Sequence, residues 1–204
     1  MCGIAGYVGD RESADVLVDA LSKLEYRGYD SAGIAVFDHG NIKVKKCKGR
    51  LANLVEKMDE EGKPQGHVGI GHTRWATHGE PSDINSHPHG NKRVTIVHNG
   101  IIENYKKLKD FLVGEGYSFA SETDTEVAAK LLDYYYDGDP MKTIAKVLSE
   151  IKGSYALGIM FRDFPDEIFA VRKDSPLIVG VGEHENFICL LYTSPSPRDR
   201  SVSR

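Results

Sequence analysis

Cys2 is the first residue whose type and position could do chemistry, since only Met1 precedes it and Gly3 follows it. Removal of the initiator methionine would leave a thiol and a free α-amine on one residue. An α-amine with a pKa of about 8 can accept the thiol proton, directly or through a water. A thiolate attacks a carboxamide and can leave again from the thioester. Cys2 is therefore a candidate nucleophile with its own base, although a cysteine taken alone is as often an inert small residue.

Arg74 lies among hydroxyl, aromatic and imidazole side chains in the segment 70–79. A guanidinium can hold a carboxylate through two parallel hydrogen bonds, which makes Arg74 a candidate substrate-binding residue. The alternative for an isolated arginine is an ordinary surface salt bridge. Trp75, the next residue, is typical of core or partner packing, but in a polar loop it could act as a gate.

Asn99 and Gly100 follow a run typical of a strand and precede a run typical of a helix. An amide side chain and the next backbone N–H could together donate to a developing oxyanion. Asn-Gly is also a common turn sequence, which is the competing interpretation. Asp124, in the segment 121–126, could hold a substrate ammonium, but capping of a helix is an explanation that needs no ligand.

Six of the eight histidines fall between His67 and His98. Their density raises the question of a metal site, but neither an H-E-x-x-H nor a C-x-x-C spacing accompanies it. Imidazoles that form hydrogen bonds inside a polar layer explain the same density. We therefore expect no metal and no cofactor.

The composition suits one globular domain: 204 residues, of which 40% are hydrophobic and 27% charged, with a net charge of -4. This modest charge indicates neither a nucleic acid nor a membrane surface as partner. The three cysteines are far apart and predict no disulfide framework. No apolar stretch reaches the roughly 20 residues of a membrane span, and no signal peptide is evident, so we expect a cytosolic protein.

The spacing of apolar residues predicts the elements that would position these groups. A strand should begin at Cys2 and run to residue 8, and an amphipathic helix should cover residues 14–24. A hairpin is predicted from strands at 34–37 and 42–44. Helices should follow the Thr-x-x-Glu capping pattern at 123–126 and begin again near Pro140. Further strands are predicted at 155–161, 168–171 and 177–181, an order that favours a layered α+β fold.

Five segments together resemble the glutaminase domain of the glutamine–fructose-6-phosphate aminotransferases, namely residues 2–4, 24–33, 72–79, 98–104 and 121–126. They occur in that family's order, and the similarity runs from Cys2 to about Ile188. Other amidotransferases share the N-terminal Cys-Gly-Ile, but their central loops differ from residues 72–79. A non-catalytic sensor that keeps a glutamine pocket is the alternative outside the enzymes.

The resemblance implies an N-terminal nucleophile hydrolase fold, a four-layer αββα sandwich in which two antiparallel sheets lie between helical layers. It implies that Cys2 attacks the side-chain amide of L-glutamine, and that Asn99 and Gly100 form the oxyanion hole of a reaction that yields glutamate and ammonia. The remaining implied site residues are Arg27, Gly28, Arg74, Thr77, His78 and Asp124 for substrate binding and Trp75 for gating ammonia.

Residues 2–189 are expected to form a type-2 glutamine amidotransferase domain that is incomplete at its C-terminal end. Residues 190–204 differ abruptly in composition, and we expect a non-native or disordered tail there. The resemblance implies that fructose 6-phosphate becomes glucosamine 6-phosphate only with a sugar isomerase domain, which is absent from this sequence. The full-length enzyme is expected to be a homo-oligomer.

Overall fold

The computed structural model describes residues 2–75, 79–91 and 93–190. Two predicted substrate-binding residues, Thr77 and His78, lie outside these ranges, as does the predicted tail beyond residue 190. The described chain contains, in order, β1 (Gly3–Gly9), α1 (Ser13–Ser22), a 3-10 helix (Glu25–Arg27), β2 (Ser31–Asp38), β3 (Asn41–Lys48), α2 (Leu51–Glu61), β4 (Val68–Arg74), β5 (His89–Gly90), β6 (Val94–Ile102), α3 (Tyr105–Gly114), α4 (Asp124–Tyr135), α5 (Pro140–Glu150), β7 (Gly153–Phe161), β8 (Phe169–Lys173), β9 (Ile178–Val181) and β10 (Glu185–Cys189).

The strands form two antiparallel sheets. Six strands lie in the order β3-β2-β4-β1-β10-β9 and four in the order β5-β6-β7-β8. β1 lies in the interior of the larger sheet, with β4 on one side and β10 on the other. Cys2, which directly precedes β1, therefore lies between neighbouring strands at one end of this sheet. The predicted α+β class with two antiparallel sheets is confirmed.

Three apolar clusters separate the layers. One lies between the sheets and includes Ile4 of β1, Ile70 of β4 and Val97 of β6. A second packs α1 and α2 on the outer face of the six-stranded sheet, and a third packs α3, α4 and α5 on the outer face of the four-stranded sheet. Alternation along β1 explains the division, since Ile4 faces the other sheet while Ala5 and Tyr7 belong to the helical side. The predicted αββα sandwich is confirmed.

Several predicted elements are confirmed with shifted ends. The first helix runs over Ser13–Ser22 rather than 14–24, and the hairpin strands β2 and β3 are longer than the predicted runs. Helix α2 was not predicted, because its buried side is only a narrow stripe of Leu51, Leu54 and Met58 in a charged sequence. None of the helices in the described ranges has the length and apolar character that crossing a bilayer requires.

The turn interpretation of Asn99-Gly100 is wrong. Both residues lie within β6, where Asn99 pairs with Ala156 and Gly100 with Tyr155 of β7. Gly100 has φ of +127°, and a Cβ at that position would lie 2.1 Å from the carbonyl oxygen of Ser154. A glycine is therefore required here by a close strand approach and not by a chain reversal.

Candidate active site

A cavity of about 220 Å³ opens where the two sheets meet the start of α4. Its walls bring together residues from five separate parts of the sequence. They are Cys2, Arg74, Trp75, His87, His98, Asn99, Gly100, Ile101, Thr123, Asp124 and Thr125. Six of the predicted site residues thus share one cavity: Cys2, Arg74, Trp75, Asn99, Gly100 and Asp124.

Strand register positions Cys2 beside Arg74. Gly3 of β1 pairs with Thr73 of β4 in an antiparallel ladder, so the residues one step beyond that pair also lie side by side. The Cys2 sulfur is 3.4 Å from the backbone nitrogen of Trp75, which donates to it. Burial raises the pKa of the Cys2 thiol, although the Trp75 N–H and the Arg74 charge favour the thiolate. A thiol in this state needs a base before it can attack.

Gly28 supports this wall from behind. It follows the 3-10 helix that ends at Arg27, and a Cβ on it would lie 2.7 Å from the carbonyl carbon of Arg74 and 2.9 Å from the nitrogen of Trp75. The backbone at Gly28 therefore packs directly on the backbone that carries the guanidinium and the indole.

Arg74 and Asp124 give the cavity two opposite charges. Arg74 is buried, and its Nη2 donates to the carbonyl oxygen of Gly79 at 3.4 Å. Burial lowers the pKa of Arg74, and the acidic groups around it oppose that shift. The Oδ2 of Asp124 accepts a hydrogen bond from the Ile102 nitrogen at 2.8 Å. A cation and an anion in one small cavity suit the carboxylate and ammonium of an α-amino acid.

Asp124 is not the cap of its helix. Thr123 is the N-cap of α4, and its side chain accepts a hydrogen bond from the Glu126 nitrogen at 3.3 Å. The Glu126 carboxylate accepts from the nitrogens of Ala120 and Ser121 instead of returning to Thr123. The threonine part of the predicted capping box is therefore confirmed, and the capping interpretation of Asp124 is wrong.

Asn99 reaches Cys2 from the other sheet. Its Nδ2 donates to the carbonyl oxygen of Cys2 at 3.4 Å. Gly100 follows it along the same cavity wall. A side-chain amide and a glycine backbone next to a cysteine have the donor chemistry that stabilises an oxyanion.

Four buried histidines, His72, His87, His89 and His98, form a layer at the cavity, and His87 and His98 line it. The rings of His72 and His87 stack at 4.1 Å, and His87 meets His89 edge to face at 5.0 Å. Burial lowers the pKa of all four, to about 3 for His72 and His89, so the layer is uncharged at neutral pH.

These histidines form hydrogen bonds with the two threonines at the start of α4. Thr125 Oγ1 lies 2.9 Å from His98 Nδ1 and 3.3 Å from His87 Nε2, and Thr123 Oγ1 lies 3.1 Å from His89 Nε2. Among residues 2–75, 79–91 and 93–190, no group of three or more His, Cys, Asp or Glu is arranged to hold a metal.

His87, His98, Ile101, Thr123 and Thr125 also line the cavity, although their residue types and spacing did not mark them as site residues. His98 and Ile101 flank the Asn-Gly pair, and the two threonines flank Asp124. For these four residues, adjacency in sequence to predicted site residues is the signal that could have identified them.

Trp75 lies at the rim of the cavity with 42% of its surface exposed. Its ring meets Tyr29 edge to face at 5.3 Å, and the guanidinium of Arg50 lies 6.0 Å from the Tyr29 ring. The indole is thus held by an aromatic neighbour while one side stays open to solvent.

Known proteins resemble this chain in sequence. A family model described as "Glutamine amidotransferase domain" matches residues 72–189. "Glutamine--fructose-6-phosphate aminotransferase [isomerizing]" of Clostridium tetani is 60% identical over 190 residues, which is 92% of this chain and 31% of that protein. A protein of the same name from Thermus thermophilus is 52% identical over 204 residues, 99% of this chain and 33% of its own length. The chain thus spans about a third of these curated relatives.

Solved structures resemble it in fold. Glutamine phosphoribosylpyrophosphate amidotransferase from B. subtilis, complexed with ADP and GMP, superposes with a TM-score of 0.81 at 28% identity, over 92% of this chain and 41% of that one. A glutamine aminotransferase class-II domain protein from Silicibacter pomeroyi superposes with a TM-score of 0.67 at 14% identity, over 92% of this chain and 88% of that one. The second likeness is one of fold alone.

Proposed function

This chain belongs to the family of glutamine amidotransferase domains, and on that premise we propose that it hydrolyses L-glutamine to glutamate and ammonia with Cys2 as the N-terminal nucleophile. One observation carries the proposal. The cavity that holds the Cys2 thiol also holds a guanidinium, a carboxylate and the Asn99-Gly100 pair. Each of these groups matches one part of glutamine, a zwitterion with a scissile amide.

Recognition uses the two charged groups. Arg74 binds the α-carboxylate of glutamine, and Asp124 binds the α-ammonium. Thr77, His78, Arg27 and Gly28 complete the proposed binding residues. Arg74 and Asp124 fix the amino acid head, so that the side-chain amide extends toward Cys2.

The chemistry begins with a proton transfer. The thiol proton passes to the Cys2 α-amine, exposed by removal of Met1, and the sulfur attacks the amide carbon. The carbonyl oxygen becomes an oxyanion that accepts hydrogen bonds from Asn99 Nδ2 and the Gly100 N–H. The α-ammonium returns the proton to the amide nitrogen, the carbon–nitrogen bond breaks and ammonia leaves. Water then hydrolyses the γ-glutamyl thioester, which releases glutamate and restores the thiol.

We also propose the larger reaction in which this ammonia is used. The names of the curated relatives support a glutaminase part of an enzyme that converts fructose 6-phosphate to glucosamine 6-phosphate. Sugar binding would then belong to the length of those relatives that this chain does not cover. In that enzyme, which we expect to be a cytosolic homo-oligomer, Trp75 would gate the passage of ammonia from the thiol to the sugar.

The direct test is covalent labelling with a diazoketone analogue of glutamine, followed by peptide mapping. We expect label on Cys2 and none on Cys47, which is buried, or on Cys189. Glutamate release should vanish in Cys2→Ala and persist in the matched control Cys189→Ala.

Intact mass measurement gives the state of the amino terminus. We expect a mass without Met1, because a retained methionine would leave Cys2 no free α-amine. Glutaminase activity in Cys2→Ala, or label confined to Cys47 or Cys189, would contradict the proposed nucleophile. Glutamine binding without hydrolysis in a chain that keeps Met1 would favour the sensor alternative.

A further inference from the structure

Lys46 of β3 carries an ammonium that is held by backbone carbonyls. Its Nζ donates to the carbonyl oxygens of Ile84 at 3.3 Å, Ser86 at 2.7 Å and Pro88 at 3.2 Å. Three convergent carbonyls hold the segment 84–88 in one position relative to the six-stranded sheet. Each bond is charge-assisted, and the three together satisfy all three protons of the ammonium.

The same segment, together with His89 that follows it, bonds to the start of α4 on its far side. His87 Nε2 lies 3.3 Å from Thr125 Oγ1, and His89 Nε2 lies 3.1 Å from Thr123 Oγ1. Asn85 adds a third connection, because its Oδ1 accepts from the Glu122 nitrogen at 3.0 Å. These bonds reach both sequence neighbours of Asp124. A shift of the segment would therefore also move the Asp124 carboxylate.

The segment also lies directly on the sheet. Gly33 of β2 is the register partner of Lys46, and a Cβ on Gly33 would lie 2.2 Å from the carbonyl oxygen of His87. On the other side, Lys57 Nζ donates to the Lys46 carbonyl at 3.1 Å and pairs with Asp83 at 3.2 Å. The ammonium of Lys46 is therefore the central contact of a segment that is fixed from several directions.

Keeping a charge here works against stability. Burial lowers the pKa of Lys46 to about 8, although Glu126 of α4 and the nearby Asp83 both oppose that shift. The folded chain thus holds the charged form less favourably than water would. An apolar side chain would avoid this desolvation, which indicates that the cation serves a purpose other than packing.

We propose that Lys46 is a positioning residue for substrate recognition: its ammonium locks the segment 84–88 against β3 and thereby sets the position of Asp124. This inference rests on the proposed function, in which Asp124 binds the α-ammonium of glutamine. Lys46 is not among the residues that line the cavity, so it should act on binding and leave the nucleophile unchanged.

The test compares Lys46→Met with Lys45→Met, the neighbouring lysine of β3, whose Nζ pairs with Glu61 at 2.9 Å. In Lys46→Met the KM for glutamine should rise about tenfold, as a misplaced partner weakens a charge-assisted hydrogen bond. Its kcat, and the rate at which iodoacetamide alkylates Cys2, should stay at the wild-type values. Lys45→Met should leave all three unchanged, and Lys46→Arg, which keeps a cation with several donors, should restore most of the KM.

Binding is measured separately by calorimetric titration of glutamine into Cys2→Ala and into the Cys2→Ala/Lys46→Met double variant. The double variant should bind about tenfold more weakly. A folded Lys46→Met with unchanged KM and affinity would overturn the inference, even if its melting temperature fell. Should Lys46→Met lack a cooperative melt, Lys46→Gln takes its place with the same expected rise. Tight binding to Cys2→Ala with no hydrolysis by wild type would contradict the proposed function and leave the positioning role intact.

Discussion

The proposed reaction half of the site, Cys2 with Asn99 and Gly100, and its proposed recognition half, Arg74 with Asp124, are built in different ways. Cys2 and the Asn99-Gly100 pair lie at or within central strands of the two sheets, where ladders of backbone hydrogen bonds fix them. In the recognition half, Arg74 is the last residue of β4 and pairs with Ser31, and its guanidinium meets the segment 79–90 at Gly79. Asp124 lies at the start of α4, where the same segment bonds both of its sequence neighbours. The groups proposed for the chemistry are thus held by the sheets, as is Arg74, whereas the proposed ammonium partner Asp124 is held through its bonds to the segment 79–90. The two halves should respond separately to mutation.

The largest effect is expected in the reaction half, from Asn99→Ala. Loss of one oxyanion donor should lower kcat about 100- to 1000-fold while KM changes little. Steady-state release of glutamate measures both constants. Alkylation of Cys2 by iodoacetamide should be unaffected, because it forms no oxyanion. A rise in KM with an unchanged kcat would mean that Asn99 belongs to recognition and that the division into halves is wrong.

In the recognition half, Asp124→Asn should raise the KM for glutamine about 10- to 100-fold and change kcat little. Asparagine can still accept the hydrogen bond from the Ile102 nitrogen but has no charge for the substrate ammonium. The matched control is Asp139→Asn, which makes the same change at the N-cap of α5 outside the cavity. If kcat fell by the same factor as KM rose, Asp124 would not act in substrate binding alone.

The buried histidine layer next to Asp124 predicts how the free energy of unfolding of the chain changes with pH. The folded pKa of His72 and of His89 is about 3 against 6.5 in the unfolded chain, so the unfolded chain binds more protons between those values. The resulting stability is complete above pH 6.5 and is lost as the pH falls toward 3, by up to about 1.4 kcal/mol per pH unit for each histidine.

Urea denaturation of His89→Gln at several pH values measures this contribution. The slope of unfolding free energy against pH below 6.5 should decrease by about 1.4 kcal/mol per unit relative to wild type. Equal slopes for His89→Gln and wild type would show that His89 is not held neutral by burial.

The smallest effect on catalysis is expected from Gly33→Ala. The added methyl would meet the His87 carbonyl oxygen and displace the segment that supports recognition. We expect a rise in KM of about fivefold with kcat unchanged, as for a small displacement far from the chemistry. Gly180→Ala in β9, where the nearest atom is 3.7 Å away, is the matched control. An altered kcat would show that the halves are coupled through β2.

Much of the fold and several residues of the candidate site could be predicted from sequence. Cys2, Arg74 and Asp124 have side chains whose chemistry can be interpreted without knowing their neighbours, and five ordered segments gave the fold class. Their catalytic and binding roles stay predictions. Asn99-Gly100 was ambiguous, because the pairing of β6 with β7 joins residues more than 50 apart, and local sequence favours a turn.

The contacts by which Lys46 and Gly33 hold the segment next to Asp124 could not be predicted. Lys46 lies in the lysine-rich strand β3, where nothing in the sequence separates it from Lys45. Its partners are carbonyl oxygens, which every residue carries, so its role has no signature in residue type. The approach of the segment to Gly33 likewise depends on a contact between backbones.

The apolar cluster between the sheets has a consequence for rate. Ile4 lies two residues after the sulfur-bearing Cys2, and Val97 lies two residues before Asn99, and both belong to that cluster. The volume of the apolar side chains between the sheets therefore sets the distance between Cys2 and Asn99, which is the space that a reacting amide would occupy. Ile70 and Met160 belong to this cluster and do not line the cavity. A larger or smaller side chain at either position should change the distance between the sheets, and with it kcat.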